Sequence, residues 1–394
     1  MNIVFFAHPT FLNQQSMQRF ARMLTEGMKQ RGHTVELWSP QARVLQLPSL
    51  PVMRKWLAYI DQYIVFPCEV RARLKNCSSD TLFVLTDNAL GPYLPIVANR
   101  PHVIHCHDFL AQRSALGEIP ENPTSWTGRN YQAYIRRGYS KGKRFIPISQ
   151  KTKDDLSRML PAPPLTWEVV YNGLNQPFTP SDPGAARTVL SKKFGIDLSA
   201  GYLLHVGGNI WYKNRLGVLE IYEAWRSTDQ QNLPLLMIGE APDAPLLTKQ
   251  AASTFKADIH FLSGVDDEYV RLAYVGASVF LFPSLAEGFG WPIAEAMASG
   301  CPVITTNEAP MTEVAGKAGF LIPRRPNNPA SVNDWANEAA RVVKTILNLS
   351  PEKHKMVVAC GLENSERFNP EKTLDRFEQL YQKIAKEDGL NTVQ

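Results

Sequence analysis

The sequence predicts an α/β protein built from two doubly wound, Rossmann-like domains, and three observations carry that expectation. Short apolar runs recur along the chain and alternate with stretches of helical spacing, the pattern of parallel strands covered on both faces. The alternation breaks once, in the connector 172–184, which is dense in Pro, Gly and Asn, and then restarts. A length of 394 residues suits two to three domains, and 44% apolar against 20% charged residues suits a globular chain rather than a disordered one.

In the first half, strands are expected at Asn2–Ala7, Thr34–Trp38, Thr81–Thr86, His102–Cys106, Arg144–Ile148 and Glu168–Tyr171. Gln15–Arg31 carries Met17, Phe20, Ala21, Leu24 and Met28 at helical spacing and ends at Gly32, a helix-exit residue. The domain boundary is expected at 178/179. Beyond it, Gly201–Val206, Pro234–Ile238, Asp258–Leu262, Ser278–Phe282 and Pro302–Thr305 are read as strands. Asn214–Trp225, Leu246–Phe255, Glu268–Tyr274 and Pro292–Ser299 are read as helices. Residues 324–329 are read as a loop, and the remainder to Lys386 as helical. Two such domains are expected to face each other across a cleft, because ligands of open α/β sheets bind at the carboxyl ends of the strands.

The formal charge of +5 is unevenly shared. Residues 1–178 hold 21 basic and 12 acidic side chains, +9, and residues 179–394 hold 21 and 25, −4. The segment 122–153 has eight Lys or Arg and no acid, interleaved with aromatic residues. A nucleic acid, an anionic membrane surface, an anionic substrate or plain solvent could each face such a segment. Five scattered Cys without CxxC spacing argue for a reducing compartment and against a zinc site. The amino terminus has no basic leader, and no apolar run approaches the ~18 residues of a membrane span. The expected location is the cytoplasm, either free or peripheral on the inner face of the membrane, where Trp56, Leu57, Tyr59, Ile60, Tyr63, Ile64 and Phe66 beside Arg54-Lys55 could rest on anionic lipid, or else form ordinary core.

The segment Ser284–Gly300 is the most informative. It follows an apolar strand, and Pro292 suits a first helical turn while Gly300 suits a helix exit. Glu287 is therefore expected in the loop and Glu295 in the first turn of the helix. Gly288 and Gly290 allow close backbone approach to a ligand beside helix-terminal N–H groups that attract anions. Taken singly, either Glu is as readily a surface or dipole-complementing residue. A second segment, His205–Arg215, ends a strand at Gly207-Gly208 and sets Lys213 at the mouth of a helix. A lysine there opposes the helix dipole unless an anion is present. Neither segment is a dinucleotide fingerprint or a P-loop. In the first half, His107-Asp108 closes a strand, and Asn13 and Gln14 lie in the loop after the first strand, both at the edge where ligand groups belong. No Asp-x-Asp occurs, so no metal and no cofactor is expected.

In these residues the chain resembles the retaining glycosyltransferases of the GT-B fold in family four. Carrying the resemblance are Arg31-Gly32-His33, His107-Asp108, Lys213-Asn214 and, above all, Glu287-Gly288-Phe289-Gly290 followed by Glu295-Ala296-Met297-Ala298 and Gly300-Cys301-Pro302-Val303-Ile304. The chain departs from the family pattern twice. Phe11-Leu12-Asn13-Gln14 stands where a Gly-rich turn is usual, and Trp211-Tyr212 stands where many members carry an Arg ahead of the Lys. The resemblance implies a nucleotide-sugar donor bound by the second domain and a glycan or lipid-linked acceptor. It implies Lys213 on the diphosphate, with Arg215 as a second cation if the helix starts late. Gly207, Gly208, Val265, Gly288, Phe289 and Gly290 would line the donor, Glu295 would take its ribose, and Glu287 and His107 would face the transferred sugar. Asn13, Gln14 and Asp108 fall on the acceptor side, and the C-terminal helix from about 370 would return to the first domain. Three other readings stay open: a nucleotide-sugar epimerase or hydrolase on this fold, a non-catalytic glycan-binding protein, and, from the 122–153 segment alone, nucleic-acid binding.

Overall fold

The computed structural model describes residues 1–12 and 15–391. The chain divides into two compact units, one of Met1–Asn175 with the segment from Pro370, the other of Gln176–Asn369. Each holds a six-stranded parallel sheet among helices, which makes both units Rossmann-like.

In the first unit the strands are β1 (Asn2–Phe6), β2 (Thr34–Trp38), β3 (Leu82–Leu85), β4 (His102–Cys106), β5 (Arg144–Pro147) and β6 (Thr166–Trp167), in the order β2-β1-β3-β4-β5-β6. Strands β3, β4 and β5 are buried at every position, so β3 is an unbroken apolar run, while β4 and β5 bury His102, His105 and Arg144 among their apolar residues. The expected strand Glu168–Tyr171 is not formed: β6 pairs two residues earlier, Arg144 with Thr166 and Phe145 with Trp167. The order reverses between β1 and β3, so the chain leaves the sheet in opposite directions there and opens a crevice at their carboxyl ends.

The C-terminal helix Pro370–Asn391 belongs to this unit. Its Leu374, Phe377, Leu380, Tyr381 and Ile384 are buried, and Tyr381 OH lies 2.6 Å from His105 Nε2. Arg31 donates to Glu371 and Asp375 at 2.7 Å each, and His33 Nε2 lies 2.9 Å from Glu378. The Arg31-Gly32-His33 segment is thus a clasp for the last helix.

The second unit has β7 (Leu203–Val206), β8 (Leu235–Gly239), β9 (Ile259–Ser263), β10 (Val279–Phe282), β11 (Val303–Thr306) and β12 (Phe320–Ile322), in the order β12-β11-β10-β7-β8-β9. Its reversal falls between β7 and β10. The strand β12 lies in a stretch with no strand expectation, being only three residues long and only partly buried. Two further corrections concern the connector. Pro183 and Gly184 do not belong to it but open the helix Pro183–Phe194, because Asp182 accepts from Gly184 N and Ala185 N and caps that helix. The boundary between units falls at 175/176. No helix among the described residues is long and apolar enough to cross a membrane.

Phe377 is fully buried, with its ring 4.8 Å from that of His105 and 6.3 Å from that of Phe20. Phe377→Ala is expected to cost about 3–5 kcal/mol, read as a lower denaturant midpoint of the first unit. An unchanged midpoint would show that the last helix is not part of that core.

Candidate functional site

The site in the second unit follows from its reversal point. After β7 the chain passes through Gly207 and Gly208, makes a single 3-10 turn at Trp211–Lys213, and enters the helix Arg215–Thr228. That helix begins one residue later than the spacing suggests. Asn214 takes the left-handed conformation (φ 51°) and caps it, accepting from Gly217 N at 3.2 Å while its Nδ2 donates to Pro283 O at 2.8 Å. A Cβ on Gly217 would come within 2.4 Å of the Asn214 amide, so only glycine admits this cap. Leu285 N donates to Tyr212 O at 2.7 Å. These two bonds join the loop after β7 to the loop after β10.

Across that junction Lys213 Nζ donates to Glu287 Oε1 at 2.7 Å, with side chains 15% and 7% exposed. The ammonium also lies 4.9 Å from the centroid of the Phe282 ring. The first two catalytic candidates are therefore together. Gly290 sits at φ 99°, a conformation open to glycine, and caps the helix Trp291–Ala298. Phe289 turns its ring into the interior, 5.4 Å from Phe368, which leaves its backbone rather than its side chain at the turn. Glu295 does not stand in the first helical turn as expected. The helix starts at Trp291, which puts Glu295 in the second turn, where Oε2 accepts from Tyr274 OH at 2.9 Å. Burial, then the neighbouring carboxylate, pushes the Tyr274 phenol well above its usual range, so it stays a donor. Val265 lies in the loop after the edge strand β9, with β8 between that strand and β7.

Arg215 is 4% exposed. Its Nη1 donates to Glu240 O at 3.0 Å and to Asn209 Oδ1, and Nε and Nη2 have no hydrogen-bond partner among the described residues. Burial lowers its pKa, opposed by Asp243 and Glu240, and a guanidinium remains charged regardless. It borders a hollow of about 220 Å³ whose wall includes Asn209, Trp211, Asn214 and Leu285. His205, buried beneath the same loop, directs Nδ1 at Leu281 O, 2.9 Å away, so Nδ1 donates and Nε2 carries a lone pair. A Cβ on Gly207 would lie 3.0 Å from that Nε2 and 3.5 Å from the Lys213 stem. Burial drives the His205 pKa down to about 3, with Arg215 and Lys213 adding to the shift.

In the first unit, His107 Nε2 donates to Thr86 O at 3.0 Å, and its ring packs edge-on against Phe20 at 4.5 Å. Burial lowers its pKa, partly offset by Asp87, so the ring is neutral at pH 7. Asp108 Oδ1 accepts from Leu110 N at 2.9 Å. Asn13 and Gln14 lie outside the described residues. The structure adds a pair that the sequence reading passes over: His8 Nε2 and Asp87 Oδ2, 2.7 Å apart, at the carboxyl ends of β1 and β3. Burial raises the Asp87 pKa, but the bond and charge of His8, with His107, outweigh it and hold the carboxyl below its usual range. The signal was the strand order, since the reversal in this sheet falls between these two strands.

Two family models match the chain: "Glycosyl transferases group 1" over residues 200–345 and "Glycosyltransferase Family 4" over residues 17–176. An O-antigen chain mannosyltransferase B of Escherichia coli is 26% identical over 244 residues, 61% of this chain and 61% of that protein, so the match spans about three fifths of the relative. Among solved structures, a sucrose-phosphate synthase from Thermosynechococcus elongatus aligns with a TM-score of 0.71 at 17% identity, over 98% of this chain and 99% of that one. The Anabaena protein HepE, crystallised with UDP and glucose, aligns with a TM-score of 0.69 at 16% identity, over 96% and 99% of the two chains.

His205 supplies a test of the buried loop. Its imidazole is neutral in the folded protein down to about pH 3 but protonates near 6.5 once unfolded. Between those values the unfolded state binds the extra proton, so stability falls as pH falls. His205→Phe is expected to remove about 1.4 kcal/mol per pH unit from the slope of unfolding free energy between about pH 4 and 6. An unchanged slope would mean that His205 is not buried neutral.

By its two matching models and its two Rossmann-like units, this chain belongs to the group 1 glycosyl transferases of family four and has their GT-B fold.

Proposed function

We propose that the protein transfers a sugar from a nucleotide-sugar donor to a hydroxyl of a glycan or lipid-linked acceptor, with retention of anomeric configuration. The observation that carries this reading is the Lys213–Glu287 pair, 2.7 Å apart at the mouths of two helices that flank one reversal point.

Chemically, the bond between the anomeric carbon and the diphosphate oxygen breaks, and a new bond forms from the acceptor oxygen on the same face. The acceptor proton passes to the departing phosphate. Negative charge grows on the diphosphate, and positive charge grows at the anomeric centre. Lys213 and the N–H groups at the start of the helix Arg215–Thr228 oppose the first, as preorganised donors do wherever charge develops. Glu287, released from Lys213 by the incoming diphosphate, orients the sugar hydroxyls and offsets the second. In this reading Arg215 turns its two unpartnered nitrogens, Nε and Nη2, toward phosphate, replacing the Arg that many relatives carry ahead of the Lys. Glu295 takes the ribose, and the backbone at Phe289 and Gly290 takes the sugar hydroxyls. His107, neutral and fixed in rotation by Thr86, presents its Nδ1 lone pair as an acceptor, while His8, Asp87 and Asp108 serve acceptor binding.

Lys213→Ala and Glu287→Ala are each expected to lower turnover of the accepted nucleotide-sugar about 10²–10³-fold while the fold survives. Near-normal transfer by either variant would remove its residue from the mechanism. Arg215→Ala is expected to raise the donor KM about tenfold or more, the size of a lost charge-assisted hydrogen bond. Incubation with the donor alone separates transfer from the hydrolase and epimerase readings: conversion at the full rate without an acceptor would contradict the proposal.

A further inference from the structure

The His8–Asp87 pair of the first unit lies outside the donor chemistry, and the sheet does not need it for register. Thr86 already ties the end of β3 to β1, its N and Oγ1 both donating to Phe6 O, at 3.1 and 2.8 Å. That tie runs the two chain ends side by side and brings Asp87 to His8. Asp87 then divides its two oxygens. Oδ1 accepts from Ala89 N at 3.2 Å and caps the 3-10 turn Asn88–Tyr93, while Oδ2 accepts from His8 Nε2 at 2.7 Å. An ionised carboxylate only accepts, so His8 carries a proton on Nε2. In the neutral ring the lone pair therefore lies on Nδ1, the way a carboxylate selects the tautomer of a histidine it orients.

That lone pair is open to a ligand. His8 Nδ1 has no hydrogen-bond partner among the described residues. The side chains of His8 and Asp87 are 8% and 13% exposed, whereas His105 and His205 are sealed in their sheets at 0%. The backbone offers little beside it. No glycine stands between β1 and the helix Gln15–Gln30, and Pro9 has no N–H. A ligand at this edge is met by side chains, in contrast to the bare backbone at Gly207 and Gly208.

The local charge selects the ligand. Burial works against the Asp87 carboxylate, and His8, His107 and the Ala89 N–H hold it ionised. No lysine or arginine is among those groups, although residues 1–178 hold 21 basic and only 12 acidic side chains. A phosphate or carboxylate arriving here would meet a lone pair and a carboxylate, with no cation to offset the repulsion. No group of three His, Cys, Asp or Glu that could hold a metal ion occurs among the described residues to invert that sign. A sugar hydroxyl brings the O–H that Nδ1 lacks and adds no charge.

We propose that Asp87 fixes His8 as a hydrogen-bond acceptor for a hydroxyl beside the attacking one, so that the first unit selects an uncharged sugar end over one carrying phosphate or carboxylate there. The identity of this ligand rests on the transferase reading, but the readouts below need no donor, so a failure of the donor chemistry leaves them standing. The ring nitrogens are read by NMR of the full chain with isotope-labelled histidine at about pH 8, above the ordinary imidazole range. His8, assigned by the signals that His8→Gln removes, is expected to show a protonated Nε2 and a bare Nδ1. The methyl glycosides of glucose, mannose, galactose and N-acetylglucosamine are then added in turn at high concentration. At least one is expected to shift the Nδ1 resonance, and inorganic phosphate to leave it unmoved. In Asp87→Asn the Oδ1 keeps the Ala89 N–H, and the new Nδ2 donates to His8 Nε2, which sends the ring proton to Nδ1. Glycoside binding is expected to weaken about tenfold in this variant, and phosphate to shift the His8 ring. His107, held by Thr86 O, reports through its own unchanged signals that the strand ends are intact. A doubly protonated His8 in the wild type, a wild-type Nδ1 shifted by phosphate, silence toward all four glycosides, or an unchanged tautomer in Asp87→Asn would each overturn the proposal.

Discussion

Lys213 stands at the amino-terminal end of a helix, where backbone N–H groups already make the potential positive, and Glu287 holds it there at 2.7 Å. Both side chains are largely withdrawn from water, so each ion has lost part of its hydration and depends on the other. Such a pair is a poor source of stability, because desolvation consumes most of the attraction. Its physical sense is as a charged pair kept in place until an anion can replace the carboxylate. The surroundings fit that description. Asn214 in its left-handed cap, Gly217 beneath it and the Leu285–Tyr212 bond fix where the ammonium emerges, and Phe282 lies under it.

The two units solve the same topological problem. In a parallel sheet the strand order must reverse somewhere, and the loops on either side diverge and leave their backbone N–H groups open. In the second unit the reversal lies between β7 and β10 and receives Lys213 and Glu287. In the first it lies between β1 and β3 and receives His8 and Asp87. The chemistry differs because the flanking residues differ. One reversal has two glycines, a lysine and a carboxylate, suited to an anion. The other has a hydrogen-bonded histidine–carboxylate pair with His107 beside it, suited to hydroxyl groups.

Much of this was legible in the sequence where a strand is buried on both faces. The short apolar run at 279–282, bounded by turn residues, points to a buried strand, and the helix exits at Gly32 and Gly300 mark themselves. The Lys213 and Glu287 segments could be singled out because glycines, a helix start and a charge opposed to the dipole coincide there. What escaped has physical causes. Strands β6 and β12, of two and three residues, bury too little to show a pattern. Glu295 falls just beyond the first helical turn because the helix, capped by Gly290, starts at Trp291, one residue before Pro292. His8 and Asp87 are 79 positions apart, so no local pattern joins them until the strand order is known.

The account rests on an anion taking the place of Glu287 beside Lys213. Calorimetric titration of UDP, GDP and ADP into the wild-type chain and into Lys213→Met tests it most directly. The account predicts that one of the three binds the wild type, that the affinity falls with added salt, and that Lys213→Met weakens it by about tenfold or more. Undiminished binding by Lys213→Met, or binding indifferent to salt, would contradict it.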